Sequence, residues 1–156
     1  VRLAPDEGAR GRIGSRKEWR MALLRWRENM SVGVESVDAD HKHLVDLLNR
    51  LHFLVLAGGD RTSVGDVLDH LLQYVGYHFD REEKLMAAGN YPGLEEHQAC
   101  HRELARQLLE HKKTFDDRPE SFDATAFYDF VSDWLLVHVM DKDMKYKPYV
   151  AADAES

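Results

Sequence analysis

The chain has 156 residues, 44% of them hydrophobic and 31% charged, which is typical of one globular domain. Its formal net charge of −7 disfavours broad electrostatic attraction to nucleic acid or anionic membranes. Cys100 is the single cysteine, so an intrachain disulfide is excluded. No apolar run reaches the roughly 18 residues of a membrane span, and the N-terminal sequence lacks the apolar stretch of a secretory signal. We therefore expect a cytoplasmic protein.

The N-terminal residues differ in character from the rest of the chain. Residues 1–20 are rich in arginine, glycine and charge and have no periodic apolar pattern, which predicts a disordered extension. From Met21 onward the pattern becomes that of a folded domain. We expect that domain to cover residues 21–150, with a short tail over residues 151–156.

Four segments of the domain carry apolar residues at steps of three and four, the period of an amphipathic helix. Asp38 is a predicted N-cap of the first, and Gly58-Gly59 ends it. No segment alternates with a period of two, so the predicted fold class is all-α, an up-down-up-down four-helix bundle. The four helices are predicted from about Ala39 to Ala57, from Thr62 or Ser63 to just before Gly89, from about Leu94 to Phe115, and from about Ser121 to at least Met140.

Metal-capable side chains lie on the apolar stripe of every predicted helix. Equal numbers of residues separate His41 and His78 from the loop that joins their helices, so the two should lie at the same depth. Five imidazoles and a carboxylate in the core of an 18 kDa protein need a compensating partner, and a metal can provide it. In chain order these residues are His41, His78, Glu82, His97, His101 and His138.

Asp143 is a further candidate with an awkward spacing. It follows His138 by five residues, which rotates it away by about 140° on an ideal α-helix. A loosened helix end, or a carboxylate that bridges to a neighbouring helix, would bring it back to the core.

Each candidate also has an ordinary structural explanation. A single core histidine is more often a hydrogen-bonded residue than a metal ligand; only the joint pattern favours a metal. Zinc is an alternative metal, but it usually takes four ligands.

The remaining candidates are predicted to lie outside the site. His43 and His70 should face solvent, and His52 and His111 should be packing or surface residues. Cys100 should be a small buried or interhelical residue, Glu83 a solvated or supporting carboxylate, and Lys142, Lys145 and Lys147 part of a charged helix end.

Several of these motifs together resemble the bacterial hemerythrins. They are residues 32–38 (VGVESVD) followed by His41, residues 78–86 (HFDREEKLM), Tyr91-Pro92, the His97/His101 pair, and His138 with Asp143 and Tyr146. The resemblance covers roughly residues 21–150, and the five-residue step from His138 to Asp143 is the family's own spacing.

The resemblance implies two iron ions that share seven protein ligands and an oxo or hydroxo bridge. Three histidines would hold one iron, two histidines the other, and two carboxylates would bridge both. Dioxygen would bind at an open position on the second iron. The three histidines on the first iron would be His97, His101 and His138, and the two on the second would be His41 and His78. The bridging carboxylates would be Glu82 and Asp143.

The ligand chemistry favours binding over catalysis. Five neutral imidazoles and two carboxylates donate less negative charge than the carboxylate-rich di-iron bundles built on Glu-x-x-His, so oxygen cleavage should be disfavoured. We expect a monomeric protein, not an enzyme, that carries, stores or delivers dioxygen, with an oxygen-consuming protein as its partner and no nucleic-acid partner. Oxygen, redox or nitric-oxide sensing, peroxidase-like activity and iron handling are alternatives that the residues leave open.

Overall fold

The structure, a computed structural model, describes residues 23–150. Within this range four long helices form the bundle, and no strand occurs between these residues. The all-α four-helix prediction is confirmed, whereas the predicted extension over residues 1–20 and the tail over 151–156 lie outside the described residues. The long helices are α1 (Glu35–Leu56), α2 (Arg61–Ala88), α3 (Leu94–Asp117) and α4 (Ala124–Val137).

Shorter elements complete the chain. One 3₁₀ turn, Glu28–Met30, precedes α1, and another, Pro119–Ser121, lies between α3 and α4. Beyond α4 the helix continues through a π-helical turn, His138–Asp143, into the short α5, Met144–Val150. In the bundle α1 packs against α2 and α4, and α2 packs against α3. Between residues 23 and 150 the structure contains no helix that could span a membrane.

The start of α1 differs from the prediction. The helix begins at Glu35, not near Ala39, and the predicted N-cap role of Asp38 is wrong, because Val34 occupies the cap without a side-chain bond. The Asp38 carboxylate lies inside the first turn, where it accepts hydrogen bonds from the Val32 backbone N–H at 2.9 Å and the Ser31 hydroxyl at 2.5 Å. These bonds tie the preceding segment to the helix.

Aspartate caps set the starts of α2 and α4. The Asp60 carboxylate accepts a hydrogen bond from the Ser63 backbone N–H at 2.7 Å, and that of Asp123 accepts one from Ala126 at 2.9 Å. Helix α4 therefore begins at Ala124, three residues after the predicted Ser121, since residues 119–121 form a separate 3₁₀ turn.

Two apolar clusters fill the interior, with buried polar residues between them. The larger cluster includes Leu44 on α1 and Phe79 on α2, and the smaller one includes Val37 and Met86 on the same two helices. His41, between Val37 and Leu44 on α1, belongs to the buried polar group. The fold therefore has a polar layer near the end of the bundle where α1 begins.

Candidate metal centre

All seven side chains predicted as metal ligands meet in the buried polar layer. Every one of them is at most 5% exposed, although a histidine, aspartate or glutamate is seldom buried without a partner. They come from each side of the bundle: His41 from α1, His78 and Glu82 from α2, His97 and His101 from α3, and His138 and Asp143 from the π-helical turn.

The Glu82 carboxylate lies between two groups of imidazoles. Its Oε1 atom is 3.2 Å from His41 Nε2 and 3.1 Å from His78 Nε2. Its Oε2 atom faces the other way, 3.2 Å from His101 Nε2 and 3.7 Å from His97 Nε2. The two oxygens of one carboxylate therefore serve different groups.

Asp143 repeats this division. Its Oδ2 atom is 3.2 Å from His41 Nε2, whereas Oδ1 is 3.2 Å from His97 Nε2 and 3.0 Å from His138 Nε2. The seven side chains thus form two sets of imidazoles with both carboxylates between them. Two metal-capable groups, in which the potential donor atoms lie within 4.8 Å of one another, follow the same partition. One is Glu82, His97, His101, His138 and Asp143, and the other is His41, His78 and Glu82.

The unpaired atoms of the cluster fit a cation. Within the described residues, both ring nitrogens of His41, Oε2 of Glu82 and both carboxylate oxygens of Asp143 are buried and make no hydrogen bond of acceptable geometry. The Nε2 atom of His138 also lies 3.2 Å from that of His101 and 3.1 Å from that of His97. Buried polar atoms without partners cost free energy, and converging imidazole nitrogens cannot all satisfy one another. Metal ions at this place would satisfy both demands.

The π-helical turn explains the spacing of His138 and Asp143. Its i→i+5 hydrogen bonding widens the turn, so residues five apart return to the same face, and insertions of this kind are frequent at functional sites. The rotation that separates the two residues on an ideal α-helix is thereby removed.

Comparison with known proteins identifies the family. The model of the hemerythrin HHE cation-binding domain matches residues 32–150. The chain belongs to the hemerythrin family. Bacteriohemerythrin of Methylococcus capsulatus is 33% identical over 135 residues, covering 85% of this chain and all of that protein. Bacteriohemerythrin of Stenotrophomonas maltophilia is 30% identical over 132 residues, covering 85% of this chain and 84% of that protein.

Solved structures agree with the family assignment. A crystal structure of wild-type hemerythrin superposes with a TM-score of 0.77 at 32% identity, covering 83% of this chain and 99% of that one. Hemerythrins are generally oxygen-binding proteins and not enzymes, and the family implies a non-haem di-iron centre. The two metal-capable groups fit that expectation.

Polar residues outside the seven contact the hemerythrin site, and one of them, Asp40, is only 3% exposed. The Asp40 Oδ2 atom accepts from His78 Nδ1 at 3.1 Å and lies 3.0 Å from Arg81 Nε, and Oδ1 accepts from the Tyr74 hydroxyl at 2.9 Å. Asp40 is absent from the predicted site. One sequence signal could have identified Asp40: it lies three residues after Val37, on the apolar stripe of α1.

Glu83 and Tyr146 also contact predicted ligands. His101 Nδ1 lies 2.9 Å from Glu83 Oε1, which supports the expectation that Glu83 is a supporting carboxylate and not simply a solvated one. The buried Tyr146 hydroxyl donates to Glu82 Oε1 at 2.7 Å. Among the sequence observations, only the family resemblance points to Tyr146.

Aromatic rings cover the inner side of the site. Phe79 stacks on His101 with 3.7 Å between ring centroids, and Trp134 stacks on His138 at 4.2 Å. Both rings also line a small void of about 10 Å³ whose walls are entirely apolar, formed with residues such as Leu104. Water is therefore poorly accommodated beside the imidazoles.

Without metal, protons replace cations in the cluster. Burial would lower the pKa of His78, but the charge of Glu82 and the hydrogen bond to Asp40 raise it to about 10. The pKa of His97 is likewise raised to about 9, against the effect of burial, by Asp143 and Glu82. Burial and Glu82 would raise the pKa of Asp143, yet the close imidazoles of His138, His41 and His97 lower it to about 2. In contrast, burial lowers the pKa of His138, so the imidazoles do not all carry protons together.

Among residues 23–150, the other residues considered in the sequence do not join the metal-capable groups. The prediction that His43 faces solvent is wrong in part: its ring is half-buried, 4.2 Å from that of Tyr74, whereas His70 is exposed as predicted. His52 is buried beside Tyr128, as a packing residue. Cys100 is a half-buried free thiol beside Trp134 and Lys142 in a surface groove. His111 packs against Phe127 and Phe130.

Proposed function

We propose that this chain binds dioxygen reversibly at a di-iron centre held by its seven buried side chains. The observation that carries the proposal is that Glu82 and Asp143 each direct one oxygen to one set of imidazoles and the other oxygen to the second set. A carboxylate with this arrangement suits a bridge between two metal ions. A single ion would leave one set of imidazoles buried without a partner.

The donor count makes the two positions unequal. With both carboxylates shared, three histidines give one position five protein donors, while two histidines give the other position four. An oxo or hydroxo group as a third bridge would add one donor to each and leave one place for an external ligand at the second position. In this assignment the first position is formed by His97, His101 and His138, and the second by His41 and His78.

Iron fits this donor set better than zinc does. Zinc sites in proteins are usually tetrahedral with four ligands, whereas imidazole with carboxylate at higher coordination number suits iron. When bound, a pair of iron(II) ions would supply the two electrons that reversible dioxygen binding requires.

Surrounding residues would orient the ligands and exclude water. The hydroxyl of Tyr146 donates to Glu82 Oε1 and so restrains the bridging carboxylate. Phe79 and Trp134 cover two imidazoles and line the apolar void, which disfavours water and suits a small apolar ligand. Neutral imidazoles outnumber carboxylates, which favours binding over oxygen cleavage.

The physiological part of the proposal is carriage, storage or delivery of dioxygen by a monomer in the cytoplasm, with an oxygen-consuming protein as the recipient. One chain supplies all seven donor side chains, so a second copy is not needed to complete the site.

Metal loading followed by cycles of oxygenation tests the proposal. We expect metal-free protein given iron(II) without air to take up two irons per chain. Air should then produce a visible absorption band that disappears on deoxygenation and returns over repeated cycles. H78A should lose one iron and the band, whereas H70A, which changes an exposed histidine on the same helix, should keep both.

Three results would overturn the proposal. They are fewer than two irons in the wild-type protein, consumption of dioxygen without recovery of the band, and an H78A variant that retains both irons.

A further inference from the structure

Asp40 is a buried acid that takes no part in the metal-capable groups, yet it adjoins both histidines of one set. It precedes His41 on α1, and its Oδ2 atom accepts from His78 Nδ1 at 3.1 Å. Helix α2 holds it from two further positions: the Tyr74 hydroxyl donates to Oδ1 at 2.9 Å, and Arg81 Nε lies 3.0 Å from Oδ2. Its carboxylate is therefore fixed in place.

The hydrogen bond to Asp40 decides which nitrogen of His78 is free. A neutral imidazole donates from one ring nitrogen and accepts at the other. In the neutral form of the ring, which is the form that binds a metal, the proton stays on Nδ1 and is directed at Asp40. Nε2, 3.1 Å from Glu82 Oε1, then carries the lone pair that a metal would take. A negative charge behind the ring also makes Nε2 a stronger donor to a metal.

The two sets of imidazoles differ in this support. His41, the partner of His78 in its set, has no hydrogen-bond partner at Nδ1 within the described residues. In the other set Glu83 supports His101, but the Glu83 side chain is 29% exposed against 4% for Asp40. Water therefore screens Glu83, whereas the charge of Asp40 acts at short range with little screening.

We infer that Asp40 is a positioning residue that fixes the ring of His78 and stabilises the more highly charged, oxidised state of the metal held by His41 and His78. This inference rests on the proposed function, since it concerns the position that would accept dioxygen. The ion pair between Asp40 and Arg81 predicts opposite effects on the potential for removal of the two charges. Loss of the Asp40 charge leaves a cation near the metal, while loss of the Arg81 charge leaves an anion.

Paired charge removals test the inference. D40N keeps the size of the side chain and removes its charge. At the potential that half-oxidises this iron in the wild type, we expect the ratio of reduced to oxidised iron to rise about tenfold, which corresponds to a midpoint 59 mV higher for a one-electron couple. Chelator competition should show about 10- to 100-fold weaker binding at the same position. R81Q, at a partly exposed position, keeps the Asp40–His78 bond and should shift the potential in the opposite direction.

Two further variants separate this role from packing. E83Q is the matched control at the other set, and Mössbauer spectra of ⁵⁷Fe-loaded protein should show D40N altering one iron and E83Q the other. Y74F removes one hydrogen bond from Asp40 but leaves its bond to His78, so it should lower the melting temperature with a smaller change in potential.

The outcomes distinguish this inference from the proposed function. A wild-type protein that does not hold two irons overturns both. If the wild type holds two irons, two results for D40N overturn the role of Asp40 alone. One is an unchanged potential and metal affinity, and the other is an equal change at both irons. If D40N does not fold, R81Q decides: an unchanged potential, or a shift of the same sign as that of E83Q, contradicts the inference.

Discussion

Raising the pH should destabilise the metal-free protein, because protons hold its buried cluster together. The pKa of His78 is raised from 6.5 to about 10 in the folded chain, chiefly by Glu82 and Asp40 acting against burial. A pKa that is higher in the folded state contributes stability below the unfolded value, and this contribution is lost as the pH rises toward the folded value. The slope is about 1.4 kcal/mol per pH unit for each such group.

The expected size of the effect is large for one domain. Between pH 7 and pH 9, His78 alone should remove about 3 kcal/mol from the free energy of unfolding, to be compared with a typical total of about 5–15 kcal/mol. His97, with a pKa of about 9, adds to the loss in the same direction. Glu82 and Asp143 titrate well below this range, so they do not contribute.

Bound metal should remove this loss. Metal binding requires neutral imidazoles and releases their protons, so the affinity for metal rises with pH and offsets the fall in stability of the metal-free chain. The free energy of unfolding of the loaded protein should therefore change little between pH 7 and pH 9. Denaturant titrations of metal-free and iron-loaded protein at pH 7, 8 and 9, kept free of air, measure both slopes, and H70Q serves as a control at an exposed histidine. A metal-free protein with equal stability at pH 7 and pH 9 would refute the reasoning.

Three further changes probe packing, capping and shielding. L104A should cost about 2–5 kcal/mol of unfolding free energy in denaturant titrations, because Leu104 is only 2% exposed. L109A, on the same helix at a residue that is 63% exposed, should cost little. Similar losses for both variants would contradict the packing. D60A should cost about 0.5–2 kcal/mol through loss of the α2 cap, and an unchanged midpoint would argue against that cap. W134A should leave two irons bound but oxidise faster in air, since it uncovers the His138 ring; an unchanged rate, followed by absorption, would count against shielding.

The helices and the inward histidines could be predicted because both depend on local periodicity. An apolar step of three or four places His41 between Val37 and Leu44 whatever the neighbouring helices do. The start of α1 could not be predicted in the same way. Asp38 is a good capping residue, but its carboxylate bonds to Ser31 and Val32, a contact that depends on how the preceding segment folds back.

Other features of the site depend on contacts between distant segments. The π-helical turn that brings Asp143 to the cluster leaves no composition signal in its own residues. The sequence allows a loosened helix end or a bridging carboxylate as an explanation of the five-residue step, and the family's spacing supports that step, but neither identifies the π-helical turn. The role of Asp40 depends on Tyr74, His78 and Arg81, which are more than thirty residues away on α2. An acid on an apolar stripe indicates that a partner exists, but the sequence does not identify that partner.

Anomalous scattering from crystals of the iron-loaded protein, recorded at the iron absorption edge, tests the central claim most directly. Two iron peaks should appear in the buried layer, one beside His97, His101 and His138 and the other beside His41 and His78, with Glu82 and Asp143 between them. One peak, or none at this place in protein that carries iron, would contradict the account.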